Sequence, residues 1–394
     1  MKVCQVGTGC SPISEKTSTA TEAVVYNLSK ELSKIVDVHI VDLEDKERKK
    51  LLNVRYHEIA MPRFFGPRVY TTPKTIKHIA RRVFYAVKTT LKFMPLMKRE
   101  NFDVIHAHNQ YTGLCLSLMN RLFWKKNFVY TLHTPFWVLP KNELSSLFCL
   151  QTILERICFR NCTKVITVSD ALKNAIQEKT NVDPRKIAAL PNGVDLLRFH
   201  PGHSSVRSKL SSHNEKIILC VARISRIKNQ MLIINAIPEI IKRGQKVKFV
   251  FIGQVDDAGY FKEILESIKK NKIGGYIKFF DAIENVRLPE YYRAADIFIL
   301  PSSAEGMPLV LLEAMASGCA IISSDIPSNK EVSKDKEIIY FSLKNKDELK
   351  SKILEILKNK NKMKILKRKA RKSAERFFGW GSIAKKTLEL YKSL

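Results

Sequence analysis

Short uninterrupted apolar runs alternate with longer amphipathic stretches along this chain, a rhythm that predicts buried parallel strands joined by helices. Val3 to Val6 reads as a first strand, followed by a polar loop, Gly7 to Ser18, and an amphipathic helix through Leu32. Val36 to Leu43 reads as a second strand by its alternation, and Val54 to Ile59 as a third. Asn101 to His108 is a strand ending in two histidines, and Phe128 to Leu132 and Lys164 to Val168 repeat the pattern of strand then helix, with Ser169 a natural N-cap. The polar tract His200 to Glu215 reads as a linker and the start of a second domain, and Asn192-Gly193 before it as a turn. Lys216 to Ala222, Val247 to Gly253, Ile277 to Phe280, Ile297 to Leu300 and Ala320 to Ile322 are then strands, and Asp347 to Leu394 is helical by pattern. The expectation is an α/β chain of two doubly wound domains.

The stretch Ile297 to Asp325 is the most fully specified. Pro308 suits the first helical position and Gly318 the position just past the helix end. A strand-helix-strand crossover makes the two strands parallel, and ligands of such sheets bind beyond the carboxyl ends, here in the loop Pro301 to Met307. Two carboxylates mark the place, Glu305 before the helix and Glu313 within it. Apolar neighbours on nearly every side predict a buried Glu313, which needs a charge partner or hydrogen-bond donors. Ligand hydroxyls, an internal arginine and backbone amides all remain open for that part. Amides at the helix start, from Met307 and Leu309 onward, add an anion-binding end. Carboxylates for hydroxyls beside amides for phosphate suit a nucleotide-sugar.

Arg223 and Lys228 sit at a strand-to-helix turn, where paired cations neutralise a diphosphate; two solvated surface charges are the alternative. His106 and His108 point to one face of an extended segment, and a metal site there would need a further ligand. Arg63 to Arg99 is basic and aromatic, with Ile79, Val83, Ala86 and Val87 on one helical face. It reads either as an ordinary surface helix or as a patch for an anionic membrane.

The 394 residues allow two domains, each with its own core, and 45% hydrophobic content excludes a disordered or fibrous chain. No run approaches the ~20 apolar residues of a spanning helix. The polar start Val3-Cys4-Gln5 is unlike a signal peptide, so a cytoplasmic chain is expected. Eight cysteines without paired C-x-x-C spacing read as packed, reduced thiols rather than metal ligands. A formal net charge of +30 favours anionic partners, meaning nucleic acid, acidic lipid or a charged substrate. A basic nucleic-acid-binding protein is therefore one alternative, although no recognised nucleic-acid module is present.

The segment Glu305 to Gly318, EGMPLVLLEAMASG, resembles the E-x7-E signature of the retaining glycosyltransferases of family 4, which have the two-domain GT-B fold. VARISRIKNQMLIINAI resembles that family's Arg and Lys motif, LPNGVDLLRF its segment leaving the first domain, and FFGWGSIAKKTLELY its last helix, which crosses back onto that domain. The resemblance implies Rossmann-like domains at 1–197 with 381–394 and at 198–380, facing across a cleft. It implies retaining transfer of a hexosyl group from a UDP- or GDP-linked donor, without a metal or other cofactor. The acceptor would be a glycan or lipid-linked molecule of glycoconjugate or cell-envelope polysaccharide biosynthesis, met at the cytoplasmic membrane face. By the same resemblance Glu305 and His108 are catalytic. Arg223, Lys228, Glu313, Gly306, Met307, Pro308, Leu309 and Ile283 hold the donor, and Glu22, His106 and His133 lie on the acceptor side. Thr19-Ala20 stands where the family carries a glycine pair before Glu22, and Ser328-Asn329-Lys330 where relatives often carry glycines before Glu331. A nucleotide-sugar epimerase of the same fold is the alternative among enzymes, separated by detecting transfer to an acceptor.

Overall fold

The computed structural model describes the chain apart from Ser18, 66–75, 140–145 and His213, with the backbone alone at Ile76, Lys77, Pro135, 146–149 and Lys346. It divides into two compact units, residues 1–192 with 380–394, and residues 193–379. The first boundary precedes the expected 197 because Val194 bridges to Gly379 within the second unit.

Unit 1 runs β1 Lys2–Val6, α1 Ala20–Leu32, β2 Asp37–Leu43, β3 Val54–Ile59, α2 Ile76–Glu100, β4 Val104–Ala107 and α3 Gln110–Met119. It continues with β5 Asn127–Leu132, α4 Ser146–Asn161, β6 Lys164–Thr167, α5 Asp170–Lys179 and β7 Ile187–Ala189. The strands form one parallel sheet in the order β3-β2-β1-β4-β5-β6-β7. The order reverses between β1 and β4, so the loops leaving these two strands open onto a switch point. Val3, Val6, Val104, Ile105, Phe128 and Val129 are fully buried, which is why the central strands are mostly apolar on both faces, with Gln5, His106 and Thr131 as buried polar exceptions. Asn109 and Ser169 cap α3 and α5, accepting from the amides of Tyr111 and Leu172. A single π turn, Asn120–Trp124, prolongs α3 and closes on Lys125 at φ 52°. The helix Trp380–Lys392 packs on α1 and buries Trp380, Ile383, Ala384 and Tyr391.

Unit 2 comprises α6 Arg207–Leu210, β8 Lys216–Val221, α7 Gln230–Lys242, β9 Val247–Ile252, α8 Ala258–Lys270, β10 Ile277–Phe280 and α9 Leu288–Ala294. After these come β11 Ile297–Leu300, α10 Leu309–Ala316, β12 Ala320–Ser324, α11 Pro327–Lys330, β13 Ile338–Phe341, α12 Lys346–Lys358 and α13 Lys360–Phe377. Its parallel sheet has the order β10-β9-β8-β11-β12-β13, with the reversal between β8 and β11. The tract read as a linker is fastened to this unit. Ser204 Oγ donates to the Glu290 carbonyl at 2.8 Å, and Arg207 pairs with Asp296 at 2.9 Å. Pro308 occupies the N-cap of α10 (φ −75°, ψ 116°) rather than its first turn, with its carbonyl accepting from the Leu311 amide. Gly318 takes φ +69° just past α10, as expected.

Among the described cysteines all are free thiols, buried except the half-buried Cys115, and burial pushes Cys220 and Cys319 up to about 12. They pack as small apolar groups. No helix among the described residues is long and apolar enough to cross a membrane.

Candidate active site

In unit 2 the chemistry collects at the carboxyl edge of β8, β9 and β11, on both sides of the switch point. Beyond their paired ends β8 and β9 stay side by side, the Ala222 amide donating to Ile252 at 3.0 Å and the Ile224 amide to Gln254 at 2.8 Å. This closeness requires glycine at 253, which holds φ +151°; a Cβ there would lie 2.1 Å from the Ala222 carbonyl oxygen. The continuation sets Arg223 against Asp256 at 2.9 Å, and Gln230 Nε2 supports the Arg223 carbonyl at 2.9 Å. Lys228 ends a one-turn 3-10 helix, and Asn229 at φ 55° redirects the chain into α7.

The loop after β11 is tied to that turn, since the Ser303 amide donates to the Ile227 carbonyl at 2.8 Å. Glu305 is thereby brought onto Lys228, with Nζ and Oε1 2.5 Å apart and the carboxylate nearly buried. The sequence places these residues far apart; two loops leaving adjacent strands bring them together. Gly306, Met307 and Pro308 are buried behind Glu305, Leu309 is half-buried at the start of α10, and Ile283 is half-buried in the loop beyond β10. A buried polar layer that sequence reasoning missed supports this loop. Ser324 Oγ donates to the Ser302 carbonyl at 2.6 Å, and Asn329 Nδ2 reaches Ser323 Oγ at 2.9 Å and Ser324 Oγ at 3.1 Å. Asn329 thus does a specific job where relatives often carry glycine.

Glu313 is half-buried as a residue, with its carboxyl end enclosed as expected. Its partner is Tyr292, whose hydroxyl donates to Oε2 at 2.8 Å; nothing local in the sequence points to it, because α9 lies outside the motif. Burial pushes the Glu313 carboxyl up to about 7, opposed by the Tyr292 hydrogen bond and the Arg198 charge. A folded pKa above the unfolded value means that the folded state binds more protons between the two. Glu313 therefore contributes stability in acid that is lost as pH rises towards 7. Glu313→Gln should remove this loss, so melting curves of parent and variant should separate in the variant's favour from about pH 5 to about pH 8. Parallel curves would refute the assignment.

Unit 1 holds the histidines beside its own switch point. His106 and His108 share a face, as their spacing predicts, with ring centroids 4.1 Å apart. Gln5 on β1 organises them. His108 Nε2 lies 2.7 Å from Gln5 Oε1 and donates to it, leaving Nδ1 to accept from His133 Nε2 at 3.0 Å. Gln5 Nε2 donates to the Tyr391 hydroxyl at 3.1 Å, Tyr391 donates to His106 Nδ1 at 2.6 Å, and His106 Nε2 donates to Thr131 Oγ1 at 2.6 Å. Burial lowers His106 and His133 to about 3 and His108 well below its usual range, so all three rings are neutral near pH 7. They line a cavity of about 30 Å³ together with Asn192 and Thr387. Among the described residues no three His, Cys, Asp or Glu side chains are grouped to hold a metal ion.

Glu22 is buried near the start of α1 and accepts from the Thr8 hydroxyl, which also receives the Cys10 amide at 3.1 Å. The loop that begins at Gly7 is anchored by Asp42, unremarked in the sequence. Asp42 accepts from the Ile13 amide at 2.6 Å, pairs with Arg48 at 2.7 Å, and would crowd any Cβ at Gly7.

Two family models match the chain, one described as Glycosyl transferases group 1 over residues 204–373 and one as Glycosyltransferase Family 4 over residues 21–198. Among curated relatives, Spore coat protein SA of Bacillus subtilis (strain 168) is 26% identical over 75% of this chain and 80% of its own length. The UDP-Gal:alpha-D-GlcNAc-diphosphoundecaprenol alpha-1,3-galactosyltransferase of Escherichia coli is 27% identical over 66% of this chain and 67% of its own. Among solved structures, sucrose-phosphate synthase from Thermosynechococcus elongatus superposes with a TM-score of 0.82 at 19% identity, covering 100% of this chain and 98% of that one. Anabaena HepE in complex with UDP-glucose does so at 0.77 and 18%, covering 100% of both chains. With two parallel-sheet Rossmann-like units and a family model over most of each, the chain belongs to the group 1 glycosyltransferases and has the GT-B fold.

Proposed function

We propose that the protein transfers a hexosyl group from a UDP- or GDP-linked sugar, with retention and without a metal ion, to a glycan or lipid-linked acceptor. The setting would be glycoconjugate or cell-envelope polysaccharide synthesis at the cytoplasmic membrane face. The observation that carries this reading is the convergence of Arg223 and the Lys228–Glu305 pair on one carboxyl edge, beside the amino end of α10. Breaking the bond between the anomeric carbon and the diphosphate builds negative charge on the leaving oxygen. Arg223, Lys228 and the α10 amides are the groups to stabilise that charge, with no metal required. When Lys228 turns to phosphate, Glu305 is released to accept hydrogen bonds from the sugar. Glu313, ionised, accepts from the ribose, and Ile283 borders the base. His108, neutral and held on both ring nitrogens, would offer a fixed dipole rather than a charge. The UDP-Gal and diphosphoundecaprenol in the name of the E. coli relative, and the UDP-glucose bound by HepE, favour a uridine donor and a lipid-linked acceptor.

The test is thermal stabilisation across UDP, GDP, ADP, CMP and their sugar conjugates, with Arg223→Ala beside the parent. A nucleotide at a hundredfold its Kd should add ~2.7 kcal/mol to the parent, and the variant should lose that gain. No response to any nucleotide, or an equal response in the variant, would overturn the donor assignment.

A further inference from the structure

The outer faces of three neighbouring helices in unit 1 are apolar where helices facing solvent are ordinarily polar. On α2, Val83, Val87, Leu91 and Met94 are exposed, and steps of four, four and three place them in one row. Leu118 on α3 is exposed, as are Leu122 and Phe123 in the π turn, each at 66%; Leu150 and Ile153 are exposed on α4. The rows are adjacent because α3 packs between α2 and α4. Phe93 and Trp124, with centroids 5.3 Å apart, join α2 to the π turn, and Arg121 joins that turn to the end of α4 through Asn161 at 3.1 Å. The exposed charged side chains described on these helices are all lysine or arginine, Lys92, Lys98, Arg121 and Arg160 among them.

Scattered apolar side chains on a surface need no explanation, but a row on each of three packed helices marks a contact face. A second copy of the same face would set cations against cations, which resists pairing. An anionic bilayer fits both chemistries, taking Leu and Phe side chains into the boundary of headgroups and acyl chains while acidic lipids meet the cations. We infer that this three-helix face docks the protein onto an anionic lipid surface. The face extends the basic stretch Arg63 to Arg99, of which 66–75 lie outside the described residues, onto α3 and α4. It uses none of the residues assigned to donor or sugar.

The experiment is flotation with vesicles of phosphatidylglycerol and phosphatidylcholine, against phosphatidylcholine alone. The parent should float with the mixed vesicles only. Leu122→Glu combined with Phe123→Glu should weaken that binding about tenfold or more, and Leu91→Gln on a different helix should weaken it separately. These side chains are exposed, so melting temperature should stay near that of the parent in both variants. Failure of the parent to bind mixed vesicles overturns the inference. So does binding undiminished in both variants, which would lay the affinity on the +30 net charge alone. A dimer in sedimentation, abolished by the same substitutions, would make the face a contact between copies and also overturn it.

Discussion

Lys228→Ala should lower transfer by about two to three orders of magnitude while leaving the fold largely intact. Losing one preorganised group aimed at developing charge costs about 3–4 kcal/mol in the transition state, or 10²–10³ in rate. Two roles rest on this one lysine: the proposed neutralisation of the leaving diphosphate, and holding the Glu305 side chain in place at 2.5 Å. The stability loss should be smaller. The Lys228 side chain retains 19% exposure, so water reaches the site and partly screens the carboxylate that the substitution leaves alone. The measurement is kcat/KM for donor set beside a melting curve. Loss of folding matching the loss of turnover would return the pair to a structural role. Glu305→Gln should reduce kcat more than it weakens donor binding, because the target proposed for it is the sugar rather than the phosphates; the reverse pattern would refute that division.

Gly253→Ala should be the most damaging conservative change in unit 2. The methyl group would meet the Ala222 carbonyl oxygen at 2.1 Å, its carbon at 2.6 Å and the Arg223 amide at 3.1 Å, all backbone atoms that cannot rotate away. The φ of +151° adds strain of its own for an L residue. A cost of about 3 kcal/mol or more, a fall of about 6–12 °C in melting temperature, is the expected scale. Because the backbone that must move carries Arg223 towards Asp256, donor affinity should fall even at temperatures where the variant is folded. Gly275→Ala, with nothing within 4 Å of its added carbon, is the control and should change neither property. Equal melting temperatures for the two variants would remove the close approach from the account.

The central strands were legible in the sequence because a parallel strand buried on both faces is apolar along most of its length, as β11 is throughout and as β8 and β9 are apart from Lys216 and Lys248. The edge strands were less so. β7 has three residues, and β13 is buried only at its ends, so neither carries the apolar run that marks a covered strand. Residues that the loops bring together were legible one at a time, through the family resemblance for Glu305, Lys228 and Arg223. Their partners were not. Asp256, Tyr292 and Asn329 are identified only by geometry, since nothing local distinguishes a carboxylate, phenol or amide that will meet a motif from one that will face water. The link between Gln5 and Tyr391, 386 residues apart, is the extreme case.

That link also bears on the order in which the molecule can be completed. Protein synthesis delivers β1 and α1 early, but the helix that covers α1 comes from residues 380–392, after the whole of unit 2. Until then Val24, Leu28 and the other residues of α1 that this helix helps to line have no lasting partner, and Gln5 and His106 lack the tyrosine that closes their hydrogen bonds. A nascent chain of this design carries an unfinished apolar surface for most of its time on the ribosome, the stage at which sticky intermediates are captured by chaperones or by one another. The second unit can settle as a continuous segment, whereas the first, though begun earlier, is finished last.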